Sequence, residues 1–227
     1  LGTHHTEFIL SEQDALNELE SIIDHFDEPY ADSSALPTML VSRMARKHVT
    51  VCLSGDGGDE LFMGYGAYKW ARRIRHPMIW PFRKPIARIL KQFPSQTIKR
   101  GADVFNSPSA NWKSHIFSQE QSLFSEGEIN DLLNKTNNSL IDEINNVVSP
   151  IKSPAEQQAY FDLNNYLTED LLAKVDRASM YCSLEVRVPL LDHRIVLFSD
   201  NLSEKFKIRN GIQKYLLKEI LYDYVPK

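Results

Sequence analysis

Apolar positions along the chain follow two different periods. Leu16, Leu19, Ile22, Ile23 and Phe26 recur at helical spacing behind Ser11, and residues 5–10 in front of them read as a short strand. The next stretch, DEPYADSSALPTMLVSRMARKHV, opens on a polar turn. That turn ends in Asp32, Ser33 and Ser34, side chains suited to a helix N-cap, and a helix of about three turns with Pro37 near its start is predicted behind it. Residues 49–53 return to a strand pattern. Strands alternating with helices predict an α/β fold around a parallel sheet, whose ligands lie beyond the carboxyl ends of the strands.

Past Tyr65 the helical period continues and no further strand is predicted. The expected division is an α/β part over residues 1–65 and a mainly helical remainder of the same domain over 66–227. Residues 101–153, rich in Asn, Ser and Gln with weak periodicity, predict loosely packed surface helices and loops. A strong helix is expected over 155–175, where Ala159, Tyr160, Leu163, Tyr166, Leu167, Leu171, Leu172 and Val175 share neighbouring faces, and another over 212–224. The chain shows no internal repeat and no low-complexity tract.

Composition narrows this little: 227 residues, 42% hydrophobic and 25% charged, suit one globular domain. No apolar run reaches the eighteen residues of a membrane span, and LGTHHTEFIL lacks a basic signal region. Cys52 and Cys182 lie far apart with no metal-ligand spacing, and read as reduced core thiols of a cytoplasmic protein. Leu1 is not an initiator Met and Lys227 directly follows a helical pattern, so an excised piece of a longer protein is expected.

The net charge of −4 hides an uneven distribution. No Asp or Glu occurs between Leu61 and Ala102, where Lys69, Arg72, Arg73, Arg75, Arg83, Lys84, Arg88, Lys91, Lys99 and Arg100 crowd together among Trp70, Trp80 and Phe82. Such a block suits an acidic surface, RNA or anionic lipid, or simply a solvated helix face broken by Pro77, Pro81 and Pro85. No nucleic-acid fold signature accompanies it, so the solvated face is favoured and neither nucleic acid nor membrane is expected as a partner.

The candidate chemistry lies in VTVCLSGDGGDELFMGY. Ser54 and Gly55 end the strand where a ligand is expected, and Gly57 and Gly58 permit a sharp turn or close approach of a ligand. Asp56, Asp59 and Glu60 would repel a polyphosphate unless a divalent cation lay between them, and Mg²⁺ is the hard ion that takes one or two carboxylates together with phosphate oxygens. The competing explanation needs no ligand: Asp59 and Glu60 open a helix, where each gains about 0.3–1 kcal/mol from the dipole, and Asp56 is a turn former. Walker A, Rossmann and EF-hand patterns are all absent.

A second constellation runs from Leu171 to Asp192. Lys174, Asp176 and Arg177 fall amid apolar residues, while Glu185 and Arg187, at i and i+2, share a face if the segment is extended. Charges so embedded pair or bind something; a buried ion-pair network and ligand contact both fit Asp176, Arg177 and Asp192. His4 and His5, as strand neighbours, would point to opposite faces, which argues against a joint metal site.

DEPYADSS, LSGDGGDELFMGY and LLAKVDRASMYCSLEVRVPLLDHR, in that order, closely resemble the synthetase domain of glutamine-hydrolysing asparagine synthetases. The match covers most of the chain, with a divergent middle from about residue 75 to 153. The resemblance implies a parallel sheet of the ATP-pyrophosphatase type followed by a helical lobe. It implies adenylation of the aspartate side-chain carboxylate by MgATP, then displacement of AMP by ammonia from a separate glutaminase domain. Carried over residue by residue, Ser54 and Gly55 contact ATP and Asp59 helps hold Mg²⁺ and pyrophosphate. Asp56 takes the acidic position tied to the acyl-adenylate, steering ammonia or accepting its proton. Ser33 and Ser34 fall near the amino-acid substrate, or cap the following helix. Glu185 and Arg187 match a motif that either touches substrate or holds the second lobe together. A homodimer is compatible with the resemblance.

Three parts of the family pattern are missing from these residues: the Ser-Gly-Gly-x-Asp-Ser loop after the first strand, a lysine just past the last residue, and the cysteine glutaminase. This stretch alone is therefore expected to be inactive. Two other functions fit the same residues: a related ligase acting on another carboxylate, such as a sugar acid or β-lactam precursor, and a non-enzymatic relative that binds through its basic block.

Overall fold

The computed structural model describes residues 2–26, 30–74, 76–95, 98, 99, 101, 102, 105, 132 and 153–226. The expectation of loose surface helices and loops over 101–153 falls outside the described residues at all but a few positions, as do Arg75 and Arg100 of the basic block and Asp27 to Pro29 of the first motif. The chain packs as two compact units. One takes in Leu1–Phe62, Asn165–Lys207 and Lys214–Lys227, the other Met63–Asn164 and Ile208–Gln213.

The first unit begins with residues 2–10, which form no strand, contrary to the pattern. A short run of strand-forming residues does not make a strand by itself; its backbone needs a neighbour to pair with. Helix α1 (Glu12–His25) follows, with a capping box in which Ser11 and Asp14 exchange backbone and side-chain hydrogen bonds. Of its apolar stripe Ile22 packs against the core and Phe26, just past the helix, is fully buried, while Leu16, Leu19 and Ile23 are exposed. Helix α2 (Ala35–Arg46) carries Ala35 and Met39 into the same cluster. Burial of Phe26 and Met39 stabilises this packing by about 1.5–3 kcal/mol per side chain. Glu18 of α1 is buried and paired with Arg43 of α2.

Strand β1 (Val51–Leu53) lies where the pattern placed it and is shorter by two residues. Helix α3 (Gly58–Phe62) follows, and the chain then enters the second unit through helices α4 (Gly66–Ile74) and α5 (Arg83–Leu90), the latter preceded by a 3₁₀ turn at Trp80–Phe82. Arg72, Arg73, Lys84, Arg88 and Lys91 are exposed on these helices, and Arg83 lies 4.1 Å over the Trp80 ring. Lys69, Arg83 and Lys99 of the same block are partly buried.

Helix α6 (Pro154–Phe161) packs on α4, burying Met63, Tyr68, Ala155, Ala159 and Ile208 as the second unit's own cluster. It continues through a π-helical run, Asp162–Leu172, into α7 (Ala173–Tyr181), one unbroken helical stretch that contains the expected helix over 155–175. Back in the first unit, α7 packs on α2 and ends against β2 (Glu185–Arg187), which pairs parallel to β1 in the register Val51 to Glu185, Cys52 to Val186 and Leu53 to Arg187. A 3₁₀ turn at Pro189–Leu191 leads to α8 (His193–Asn201) and α9 (Glu204–Lys207).

The expectation of no strand beyond Tyr65 is therefore corrected by β2 and by the antiparallel pair β3 (Ile208–Arg209) and β4 (Ile212–Gln213). Strands of two or three residues are too short to show a period. The β3–β4 turn nevertheless carries a local mark, Asn210-Gly211, with φ of 51° and 79°. The last helix accordingly starts later than expected: α10 spans Tyr215–Leu221, because Ile212 and Gln213 are in the hairpin. The result is a helix-rich α/β chain with a small parallel sheet. Among the described residues no helix is long and apolar enough to cross a membrane.

Candidate functional site

The acidic glycine loop begins where the β1–β2 ladder ends. Ser54 N–H donates to the Arg187 carbonyl at 2.9 Å, extending the ladder by one residue, so the loop leaves the carboxyl end of β1 from a fixed point. The Ser54 hydroxyl donates to Asp56 Oδ2 at 2.6 Å. Ser54, expected to contact ATP, thus has its N–H committed to β2 and its hydroxyl proton to the loop, while Gly55 is exposed and a Cβ there would meet nothing within 4 Å. The open ground next to the carboxylates lies over Gly55.

Gly57 is required by protein packing, and Gly58 is tightly packed. Gly57 has φ of +81°, and a Cβ there would lie 2.3 Å from Leu191 Cδ2; one on Gly58 would lie 3.0 Å from Leu190 Cδ1. The turn Pro189–Leu191 is therefore what approaches this backbone closely, where a ligand was also conceivable from sequence. Both glycines are buried, and they let the loop turn directly into α3.

Asp59 and Glu60 stand in the first turn of α3, as the dipole argument requires, but they differ in surroundings. Glu60 is buried at 2% exposure, whereas Asp59 is half-buried and its Oδ1 accepts from Lys214 Nζ at 2.8 Å. The loop thus presents Asp59 to a cation. Lys214 escaped the sequence reading, which placed it inside a helix; the Asn-Gly hairpin just before it was the signal that would have moved it to a helix entrance.

A second cluster forms around Ser34. Asp32 Oδ1 accepts from the Ser34 N–H at 2.8 Å and from its hydroxyl at 2.7 Å, while Lys174 Nζ donates to Asp32 Oδ2 and to Ser34 Oγ, both at 2.6 Å. Ser34 is the N-cap residue of α2, but its side chain makes no cap bond, and the Asp32 carboxylate instead holds Ser34 in place. Ser33 is exposed. Burial pushes the Asp32 carboxyl up, but hydrogen bonds from Lys174 and Ser34 outweigh it and hold Asp32 below the usual carboxylate range. A carboxylate depressed on folding stabilises the fold above its unfolded pKa and loses that contribution as pH falls through the folded one. Asp32→Asn is accordingly expected to cost about 1.5–3 kcal/mol at pH 7, the worth of hydrogen bonds to a charged group. In the variant the stability lost by the native chain below about pH 4 should be smaller, read from melts across an acid series.

Glu185 and Arg187 share a face of β2, as their spacing predicted, and pair with each other at 2.8 Å in the open. The buried-network reading of the neighbouring charges fails in detail. Asp176 is exposed, and Asp192 caps α8 through the Arg194 N–H while its carboxylate pairs with the Arg194 guanidinium, which holds its pKa well below the ordinary value. Arg177 alone of the three reaches inward, donating to the Phe26 carbonyl at 2.9 Å. Lys174, 6% exposed, is the buried cation of the segment.

His4 and His5 are exposed, and among the described residues no three His, Cys, Asp or Glu side chains converge as a metal cage. Cys52 and Cys182 are half-buried free thiols, each pushed up by burial.

Comparison with known proteins fits this arrangement. The family model described as asparagine synthase matches residues 1–227. Asparagine synthetase (glutamine-hydrolysing) 1 of Bacillus subtilis is 30% identical over 233 residues, covering 100% of this chain and 36% of that protein. Asparagine synthetase (glutamine-hydrolysing) 3 of the same organism is 24% identical over 99% of the chain and 32% of its own length. The human asparagine synthetase (glutamine-hydrolysing) is 37% identical over 82 residues, 34% of this chain and 15% of that protein. No solved structure gives a significant match. The chain spans about a third of the length of the first of these curated relatives. With the family model matched from its first residue to its last and the acidic loop set at the end of a parallel strand, the chain belongs to the asparagine synthase family.

Proposed function

We propose that this chain is part of the ATP-using synthetase domain, of the ATP-pyrophosphatase fold type, of a cytoplasmic, glutamine-dependent asparagine synthetase. The observation that carries the reading is the acidic loop: a glycine turn clamped to the end of β1, with Asp56 and Asp59 flanking it and Asp59 already facing a cation. The donors fit Mg²⁺, since carboxylate oxygens are hard ligands, one or two suffice when phosphate oxygens complete the shell, and Asp59 attracts positive charge. Mg²⁺ bound there would neutralise the phosphates of ATP.

In this reading Gly55 and Ser54 bound the nucleotide, Asp59 holds the metal, and Asp56 lies beside the reacting carboxyl group. Aspartate's side-chain carboxylate oxygen attacks the α-phosphorus of ATP, the bond to the β-phosphate breaks and pyrophosphate leaves. Ammonia, delivered by a glutaminase domain, then adds to the acyl carbon, the bond to AMP breaks, and Asp56 accepts a proton from the nitrogen. Ser33, Ser34 and the Glu185–Arg187 pair are the substrate-side candidates. Ser34 acts there through an oxygen already fixed by Asp32 and Lys174.

The test is pyrophosphate release from MgATP by the full-length protein with aspartate against a panel of other carboxylates. Release that requires aspartate is expected. Release with a sugar acid or a β-lactam precursor in its place would transfer the same loop to another ligase, and no release with any acid would overturn the reading.

A further inference from the structure

Lys214 reaches Asp59 through two independent constraints. It sits at φ 52° and ψ 36°, a left-handed backbone that residues with a Cβ avoid, directly after the Asn210-Gly211 hairpin and at the entrance to α10. Its carbonyl accepts the Lys218 N–H at 3.0 Å and so starts that helix, while α10 itself packs on α3. The tight backbone and the helix contact together deliver the ammonium to within 2.8 Å of Asp59 Oδ1. Both side chains remain about one-third exposed, at 33% and 32%, so water reaches the pair and the contact can exchange.

Resting on the reading of Asp59 as a magnesium ligand, we propose that Lys214 is a positioning residue that acts as a cationic placeholder. It neutralises and orients the Asp59 carboxylate until the metal ion replaces it there. An ammonium donating to Oδ1 takes up one of that oxygen's lone pairs and sets a positive charge where a metal ion would approach, so placeholder and metal compete for the same carboxylate. The loop otherwise gathers Asp56, Asp59 and Glu60 within five residues, and a monovalent partner offsets their repulsion without binding tightly enough to block a divalent ion. The displaced ammonium, a compact charge with three donors on a flexible stem, is then suited to meet phosphate oxygens.

The direction of the effect separates this role from simple support of the fold. In the full-length protein, Mn²⁺ uptake without nucleotide can be followed by the spin-resonance signal of the free ion, beside a melt of each variant. Lys214→Met should tighten uptake about two- to fivefold, the worth of a partly exposed ion pair. Lys214→Arg should weaken it, because a bidentate guanidinium holds the carboxylate harder. Asp59→Asn should weaken it well beyond either change at Lys214. Uptake that depends on Asp59 but is unchanged in both Lys214 variants, or weakened in both, overturns the placeholder and leaves Asp59 as a metal ligand. Uptake that does not depend on Asp59 in any variant overturns the metal reading itself, and the placeholder with it.

Discussion

Asp59→Asn in the full-length protein is expected to lower kcat/KM for MgATP by about 100- to 1000-fold, the cost of removing one preorganised electrostatic contact from a site that works by charge neutralisation. The substitution is chosen for what it leaves intact. Asn is nearly isosteric, its amide oxygen can still accept from Lys214, and the first turn of α3 keeps a side chain of the same length. Only the negative charge goes. Because Asp59 is half-exposed and its ion pair lies at the surface, stability should fall by no more than about 1 kcal/mol, so a folded but silent protein is the expected product. The loss should be partly recovered at high Mg²⁺, since a neutral ligand weakens the metal without closing the site. Activity within fivefold of the native protein at limiting Mg²⁺ would reduce the carboxylate to a helix-dipole partner of α3, the alternative that its position in the first helical turn always allowed.

The same loop shows why some of the architecture was legible in the sequence and some was not. β1 and the turn after it could be read because an apolar run ends abruptly in glycines, and α1, α2 and the helix over 155–175 because each repeats its period over several turns. The capping box of Ser11 and Asp14, which no period signals, emerged only in the structure. β2 escaped since three residues carry no period; its existence depends on pairing with β1 from 134 positions earlier in the chain, a long-range fact. The pairing of Lys174 with Asp32 was hidden for the same reason: each residue looks like an ordinary helix or turn charge until α7 packs on α2. Residues 5–10 show the opposite error, a strand-like run that forms no strand among the described residues. At the site, residue chemistry was legible and partnership was not. The loop's acids were evident, but the ammonium that meets one of them comes from 155 positions further along, at the entrance to α10.

Gly57→Ala should destabilise the fold by about 2–4 kcal/mol, combining the cost of a left-handed alanine with that of overpacking. The two terms can be separated. A Cβ at residue 57 would lie 2.3 Å from Leu191 Cδ2 and 2.9 Å from Cγ, so the whole branched end of Leu191 must move, beyond what one methyl rotation gives. Leu191→Ala opens that space and, in the double variant, should return about 1–2 kcal/mol relative to the sum of the single changes. The φ of +81° is untouched by that repair, so about 1–2 kcal/mol of the Gly57→Ala cost should persist in the double variant. Thermal melts of the four proteins in the cycle give both numbers; strict additivity would mean that Leu191 steps aside freely and only the backbone term exists. The functional consequence comes from the sequence order. Gly57 stands one residue after Asp56 and two before Asp59, so any backbone shift that relieves the collision moves the two carboxylates apart or together. The double variant, with the collision removed, should therefore recover more activity than stability, because the geometry of the acids depends on the space beside Leu191 while the melting point still bears the strained φ.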